Sequence, residues 1–416
     1  MADSNLRSMY RDIHSDLFPK SMEISLYDDQ QRQTLIYEKV EWVVDGKRQG
    51  LRYGENPDQE AALYRLVNGN LCLGEVTCIE PGHYLTSDIE LLRSGKHPGK
   101  INVTDVDSAL GILRYFTEAP ASVIVKHNNP SGVAIREALA DAYYEAHMAD
   151  RIAAFGGAVA LNREVDLSTA ELIAEHYVEV VAAPEYATGV IEKLGTRKNL
   201  RILRIRNMDR LAHYVGQKVL DFSSLIDGGV ILQWAQVPKT KKASDFLPAT
   251  AEHKGTEYRV ERQPTEKELE DMLFGWYVET GVTSNSVIYV KNRSTVGIGT
   301  GEQDRVGVAE IARDKAYKKL AERVCWERHS CALAQAEKAQ RMQIIEEVGE
   351  MHGGLTNSVM VSDAFFPFRD GIEVGLKEGV SGVVQPGGSL RDFESIQACN
   401  EYGATMVFTG QRSFRH

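Results

Sequence analysis

Val123-Ile124-Val125-Lys126-His127-Asn128-Asn129-Pro130-Ser131-Gly132 is the stretch on which the reading of this chain turns, because an apolar β-branched run delivers an ammonium and an imidazole together at its end. Ser122 to Val125 predicts a short buried strand, and the Asn-Pro-Ser-Gly that follows is turn chemistry that stops the strand and exposes Lys126-His127. Imidazole accepts a proton near neutral pH, and an ammonium beside it stabilises developing negative charge. That pairing suits acyl transfer to an amine. The competing reading is a Lys-His pair that only caps a strand at the surface.

Outward from this stretch, strand and helix alternate. Asp105 to Phe116 carries apolar residues at helical spacing before it, and Glu137 to Met148 does so after it. Ala154 to Ala160 is an apolar segment interrupted by glycines, and Val178 to Ala183 reads as a buried strand ending at Pro184. The alternation predicts a layered α/β core. Residues 1–45 are polar and mixed, with strand signals at Thr34 to Tyr37 and Val40 to Val44, and form an N-terminal arm; residues 46–235 form a first α/β unit. Residues 236–270 turn charged and polar, including Lys239-Thr240-Lys241-Lys242, and read as a linker. A second α/β unit covers 271–416, with strands at Val287 to Val290, Gly379 to Val384 and Thr405 to Phe408 and a helix at Val308 to Glu322.

A chain of 416 residues exceeds one ordinary core, which agrees with two units. Charged residues make up 26% and the formal net charge is −11, so the general basic field that nucleic-acid binding needs is missing, although local basic pockets remain open. The first residues lack the apolar run of a secretory signal and no stretch approaches a membrane span, so a cytoplasmic protein with no membrane or nucleic-acid partner is expected. Five cysteines, Cys72, Cys78, Cys325, Cys331 and Cys399, match neither zinc-finger nor CxxC spacing, and the H-x-E with P-C-x-x-C of a zinc deaminase is absent. No metal ligands are assigned.

Arg52-Tyr53-Gly54-Glu55-Asn56-Pro57 sets a guanidinium and a phenol before a turn, either a surface turn or a phosphate grip. Gly297-Ile298-Gly299-Thr300-Gly301 reads as a tight connection or as a partial nucleotide loop lacking the full G-x-G-x-x-G. Ser362-Asp363-Ala364-Phe365-Phe366-Pro367-Phe368-Arg369-Asp370 is core, or an apolar slot for a flat heterocycle whose polar edge Asp370 reads. The backbone amides of Gln385-Pro386-Gly387-Gly388-Ser389 are open to a ligand, and Arg412-Ser413-Phe414-Arg415-His416 is a fraying end or a phosphate anchor.

Together with Ala154-Phe155-Gly156-Gly157 and Ser284-Asn285-Ser286, these segments occur in the order found in the transformylase domain of the bifunctional purine-biosynthesis enzymes, and from about Leu51 to His416 the chain resembles that family. Those enzymes formylate aminoimidazole carboxamide ribonucleotide (AICAR) and cyclise the product to inosine monophosphate. The resemblance implies two cytidine-deaminase-like α/β/α subdomains, three-layer sandwiches, in a homodimer with sites at the subunit interface. It implies His127 as proton acceptor for the AICAR amine, Lys126 as stabiliser of the formyl oxyanion and Asn285 as hydrogen-bonding partner of the reacting group. Arg52, Tyr53 and Arg412 would bind the nucleotide, Gly156, Glu179 and Phe365 would frame its base and ribose, and Arg305 would reach it from the partner subunit. Val306, Asp370, Ser389 and Leu390 match positions that contact the donor, 10-formyltetrahydrofolate, and a structural monovalent cation near the Asn285 strand belongs to the same pattern.

Two positions depart from the pattern: Asp58 stands where the family usually has His, and Ser131 where Cys or Ala is common. A carboxylate near Lys126-His127 would favour the charged forms of both. About 50 residues precede the matching segment, so no cyclohydrolase domain is expected and a separate IMP cyclohydrolase would drain the product. The expected reaction is formyl transfer to AICAR giving FAICAR. Its alternatives are another formyl donor or aminoimidazole ribotide on the same fold, and a non-catalytic AICAR-binding regulatory module.

Overall fold

The computed structural model describes residues 13, 16–27, 32–56, 59–68, 84–217 and 219–416. Asp58, Cys72 and Cys78 lie outside the described residues. Two compact units emerge, residues 1–118 with 156–237, and residues 119–155 with 238–416. Contiguous division at 46–235 and 271–416 differs from this partition at two places. The Lys-His hairpin groups with the C-terminal half, and most of 236–270 is folded into that half.

In the first unit, parallel strands Ala158–Leu161, Val180–Ala183 and Arg201–Arg204 stand side by side, and Glu90–Arg93 runs antiparallel to the last. Helix Lys100–Leu113 packs on Ala158–Leu161 and buries Val103, Val106, Leu110, Ile112 and Leu113. The arm supplies strands Ser21–Tyr27 and Arg32–Lys39, which pair with Tyr64–Asn68 in a separate three-stranded sheet.

The second unit holds a six-stranded mixed sheet, in the order Leu247–Pro248, Thr405–Phe408, Gly382–Gln385, Val359–Ser362, Val287–Val290, Thr295–Gly299. Val359–Ser362, Gly382–Gln385 and Thr405–Phe408 are mutually parallel, and each is buried throughout. Strands buried on both faces read as continuous apolar runs, which is why these segments stand out in the sequence. Helix Arg305–His329 lies on Thr295–Gly299 at close range: a Cβ at Gly297 would sit 2.3 Å from the Ala312 carbonyl, and one at Gly299 would sit 2.3 Å from that of Val308. The Gly297-Ile298-Gly299 pattern is therefore a helix-packing device. Asp304 caps this helix by accepting from the Gly307 amide at 2.6 Å. The residues expected to be a linker form strands Thr250–His253 and Thr256–Arg259, with the His253 ring stacked on Phe393 at 4.0 Å. Helix-flanked mixed sheets in both units bear out the α/β expectation.

The hairpin corrects one local expectation. Ala121–Lys126 pairs antiparallel with Asn129–Ile135, with Lys126 opposite Asn129, so the turn is His127-Asn128 itself. Both residues have positive φ, 55° and 60°, the signature of the two-residue type I′ turn whose twist matches the strands it joins. Pro130, Ser131 and Gly132 belong to the second strand. The register shifts between Ile124 and Val125, leaving Ser131 as the extra residue of a bulge beside Pro130, where a missing N–H does no harm. Gly132 admits helix Leu139–Ala149, since a Cβ there would fall 1.8 Å from the Ala146 carbonyl oxygen.

Candidate active site

Three apolar residues, Val123, Ile124 and Val125, are fully buried and anchor the strand that presents Lys126. Lys126 is half-buried, and its ammonium donates to the Phe155 carbonyl at 2.8 Å; His127 is exposed at the turn. Asn129 fixes the turn from behind. Its side-chain oxygen accepts from the Thr283 amide at 2.9 Å and the Thr300 hydroxyl at 3.0 Å, while its amide donates to the His127 carbonyl at 3.3 Å.

Thr283 opens the loop that carries Asn285, and the Ser284–Asn285 peptide is cis. The Asn285 amide group donates to the Gln303 carbonyl at 3.0 Å and accepts from the Arg305 guanidinium at 2.9 Å. Arg305 is only 8% exposed; it also donates to the Ser286 carbonyl and the Ser362 hydroxyl, both at 3.1 Å, and forms a salt bridge with the fully buried Asp363. What Arg305 does directly here is hold Asn285 in place. Asp363 further accepts from the Ser284 hydroxyl and from the Ser286 amide at 3.2 Å.

Beneath this network lies Glu279, fully buried on helix Glu266–Glu279. Its Oε1 accepts from the Ser286 hydroxyl at 2.9 Å and its Oε2 has no hydrogen-bond partner among the described residues. Burial, reinforced by the neighbouring Asp363 carboxylate, pushes its pKa well above the ordinary carboxylate value.

The chain end ties these pieces together. The Arg415 guanidinium donates to the carbonyl of Asn128, at 3.2 Å, and to that of Gly281. Its backbone exchanges bonds with Ser284: the Ser284 amide donates to the Arg415 carbonyl at 2.9 Å, and the Arg415 amide to the Ser284 hydroxyl at 3.1 Å. One residue thus clamps the Lys126-His127 turn and the Asn285 loop.

At the carboxyl ends of the three parallel strands opens a pocket of about 560 Å³, lined among others by Asn285, Arg305, Phe365, Pro386, Arg412 and Phe414. This is where open α/β sheets bind ligands. Phe365 is 42% exposed, whereas its neighbour Phe366 is wholly buried, so the aromatic segment serves both as core and as pocket wall. Arg412 is exposed, with its guanidinium 4.7 Å from the Phe414 ring centroid. Lys126 and His127 line a different cavity, of about 280 Å³.

The residues matched to the folate donor lie off the lining of the larger pocket. Val306 packs on the core, Asp370 accepts from the Gly371 amide at 2.8 Å, and Leu390 is 94% exposed. Ser389 sits in the Pro-Gly-Gly-Ser loop, but the Gly388 and Ser389 amides, expected to be open to a ligand, donate to the buried Asp392 at 2.7 and 3.0 Å. Asp392 had no signal in the sequence beyond its type.

In the first unit, Arg52 is 4% exposed; it donates to the Tyr53 hydroxyl at 2.8 Å and stacks over the Tyr53 ring at 4.3 Å. Glu179 accepts from Asn102 at 3.2 Å and pairs with the buried Arg201 at 3.2 Å. Burial lowers the pKa of Arg201 to about 10, against the opposing pull of Glu179. Gly156, with φ 77°, donates its amide to the Tyr177 carbonyl at 2.8 Å. No helix among the described residues is long and apolar enough to cross a membrane.

A mixed α/β protein with a lysine-histidine turn and an open pocket at its strand ends is the class that these features define. Residues 16–315 match the model of the AICARFT/IMPCHase bienzyme family, and the chain belongs to that family. It is 38% identical over 371 residues to the bifunctional purine biosynthesis protein PurH of Persephonella marina, covering 89% of this chain and 60% of that protein. PurH of Bacillus subtilis is 35% identical over 373 residues, covering 89% of this chain and 59% of its own length. That of Acetivibrio thermocellus is 34% identical over 405 residues, covering 97% and 65%. The chain spans about 60% of the length of the curated relatives it matches.

Proposed function

We propose that the protein transfers a formyl group from 10-formyltetrahydrofolate to the 5-amino group of AICAR, giving FAICAR and tetrahydrofolate. The observation that carries this reading is the clamp made by Arg415 and Asn129, which holds the turn bearing Lys126 and His127 against the loop bearing Asn285. The amine of AICAR is conjugated with its ring and is a poor nucleophile, so a base must take its proton as the new bond forms. His127 takes that proton. The amine nitrogen bonds to the formyl carbon, and the carbonyl electron pair moves onto oxygen, where the Lys126 ammonium stabilises it. Collapse of the oxyanion breaks the bond from carbon to N10 of the folate, and N10 leaves with the proton that His127 took from the amine.

Phe365, Phe414 and the flanking prolines give the larger pocket apolar walls for a flat heterocycle, and Arg412 gives it a fork for an anionic group. Arg52, Tyr53, Gly156 and Glu179 are proposed for the nucleotide, with Val306, Asp370, Ser389 and Leu390 for the folate and a homodimer as the working form. Incubating the purified protein with AICAR and 10-formyltetrahydrofolate, and recording tetrahydrofolate release spectrophotometrically, tests the proposal. Turnover with formate and ATP instead would establish a different donor. AICAR binding by calorimetry without formyl product under either condition would establish a non-catalytic binder.

A further inference from the structure

The 280 Å³ cavity against the Lys126-His127 turn carries more positive charge than its surroundings neutralise. Five of its lining residues are ionisable: Lys126, His127, Asp150, Lys315 and Lys319. Asp150 is the one carboxylate among them, and it is occupied. Its Oδ1 accepts from the Lys319 ammonium at 2.9 Å and from the Ala153 amide at 2.9 Å. Lys126 gives one of its three N–H groups to the Phe155 carbonyl. Lys315 is half-buried, and no hydrogen bond or ion pair joins its ammonium to another described residue. Burial and the nearby Lys319 pull its pKa below the ordinary value, against the attraction of Asp150. An ammonium partly withdrawn from water and left without a partner gains from an anion that meets it.

We infer that this cavity is an anion site, and that it takes a phosphate group held by Lys315 together with Lys126 and Lys319. The volume lies just below the range of ligand pockets, about 300 to 1,000 Å³, so the occupant is inorganic phosphate or the phosphoryl end of a small phosphomonoester. Phosphate supplies several acceptor oxygens for converging ammonium donors, each bond being charge-assisted. Because Lys126 and His127 share the lining, the bound anion touches the pair to which formyl transfer is assigned above. The binding itself stands independently of that assignment.

The test is calorimetric titration of the full chain with inorganic phosphate and, separately, with ribose 5-phosphate. Lys315→Met, Lys315→Gln and Arg412→Met are compared with the wild type. Binding by the wild type and an affinity loss of about tenfold or more in both Lys315 variants, with the Lys315-dependent binding retained in Arg412→Met, supports the site. Tighter binding of ribose 5-phosphate identifies the phosphomonoester as the occupant, and equal or weaker binding identifies the free anion. Lys315→Met leaves no partner orphaned, so its melting temperature without phosphate should equal or exceed that of the wild type, while the rise on adding phosphate disappears. No binding by the wild type of either probe, or equal affinity in wild type and folded Lys315 variants, overturns the inference. So does a loss confined to Arg412→Met, which would put the anion in the other pocket. Formyl-transfer activity enters none of these readings, so failure here and failure of the proposed reaction are separable.

Discussion

Replacing Glu279 by Gln probes the buried network under Asn285 with a change of one atom type. Glu279 is fully buried, its Oε1 receives the Ser286 hydroxyl, and its pKa is raised by burial and by Asp363. A carboxyl group whose folded pKa exceeds its unfolded value near 4.5 binds a proton in the fold that it releases on unfolding. Stability then falls as pH rises through that window, by about 1.4 kcal/mol per pH unit, until the folded pKa is reached. Gln keeps the shape and the carbonyl acceptor for Ser286 but has no proton to lose. The expected result in urea melts at pH 5, 6 and 7 is that Glu279→Gln matches the wild type at pH 5 and gains on it by up to about 1.4 kcal/mol for each unit above. Asn285 should stay in place, so turnover should change less than threefold. Parallel stability curves, or a variant weaker than wild type by more than about 2 kcal/mol at pH 7, would refute the reasoning, because either would mean that Glu279 works as a buried carboxylate.

Lys126→Met and His127→Asn should each lower turnover by about 10² to 10⁴-fold with the fold intact, Asn being chosen because it tolerates the left-handed backbone; circular dichroism with initial rates checks both. Arg415→Ala should reduce kcat more than KM, since it loosens the turn from the Asn285 loop, with Arg415→Lys recovering part of the loss; an effect confined to KM would argue against the clamp. Gly132→Ala should cost more than about 3 kcal/mol, because the helix carrying Ala146 would have to move off the hairpin, and a wild-type melting temperature would contradict that packing. Burial opposes ionisation of Glu268, but the Arg262 fork at 2.8 and 2.9 Å and the Thr265 amide outweigh it and bring its pKa down to about 2. A pKa lowered in this way gives stability that is whole above the unfolded value and lost as pH falls toward 2. Glu268→Gln should therefore cost about 1–2 kcal/mol at pH 6 after solvent screening and almost nothing at pH 2, as acid-range melts would show.

Val287–Val290 and Thr405–Phe408 have in the structure the bounds read from the sequence, because a continuous apolar run flanked by polar or glycine residues has one physical meaning in a sheet covered on both faces. Pro130 and Gly132 misled for the opposite reason. Each is also a turn residue, and only the register reveals that one sits beside a bulge and the other in a helix contact. Glu279 was invisible because a carboxylate in an amphipathic helix normally faces water. Arg305 was given a role in the sequence only through the family resemblance, and its engagement with Asp363 joins residues far apart in the chain. Asn285, Phe365 and Arg412 do line one pocket, and each came from a short motif whose individual reading was ambiguous.

The two-residue turn at His127 and Asn128 also limits how this centre can change over generations. Insertion or deletion of a single residue would convert the turn to another type and re-aim both side chains together, so variation by indels is closed here. Substitution at 127 must satisfy backbone handedness before it satisfies chemistry, and the residues most at ease there, Gly, Asn and Asp, cannot do the work of an imidazole near neutral pH. Under the proposed reaction, drift at this position therefore leads first to folded, inactive proteins and seldom to alternative bases. A sequence survey that finds Asn or Gly at this turn would mark descendants that have kept the scaffold and given up the reaction proposed above.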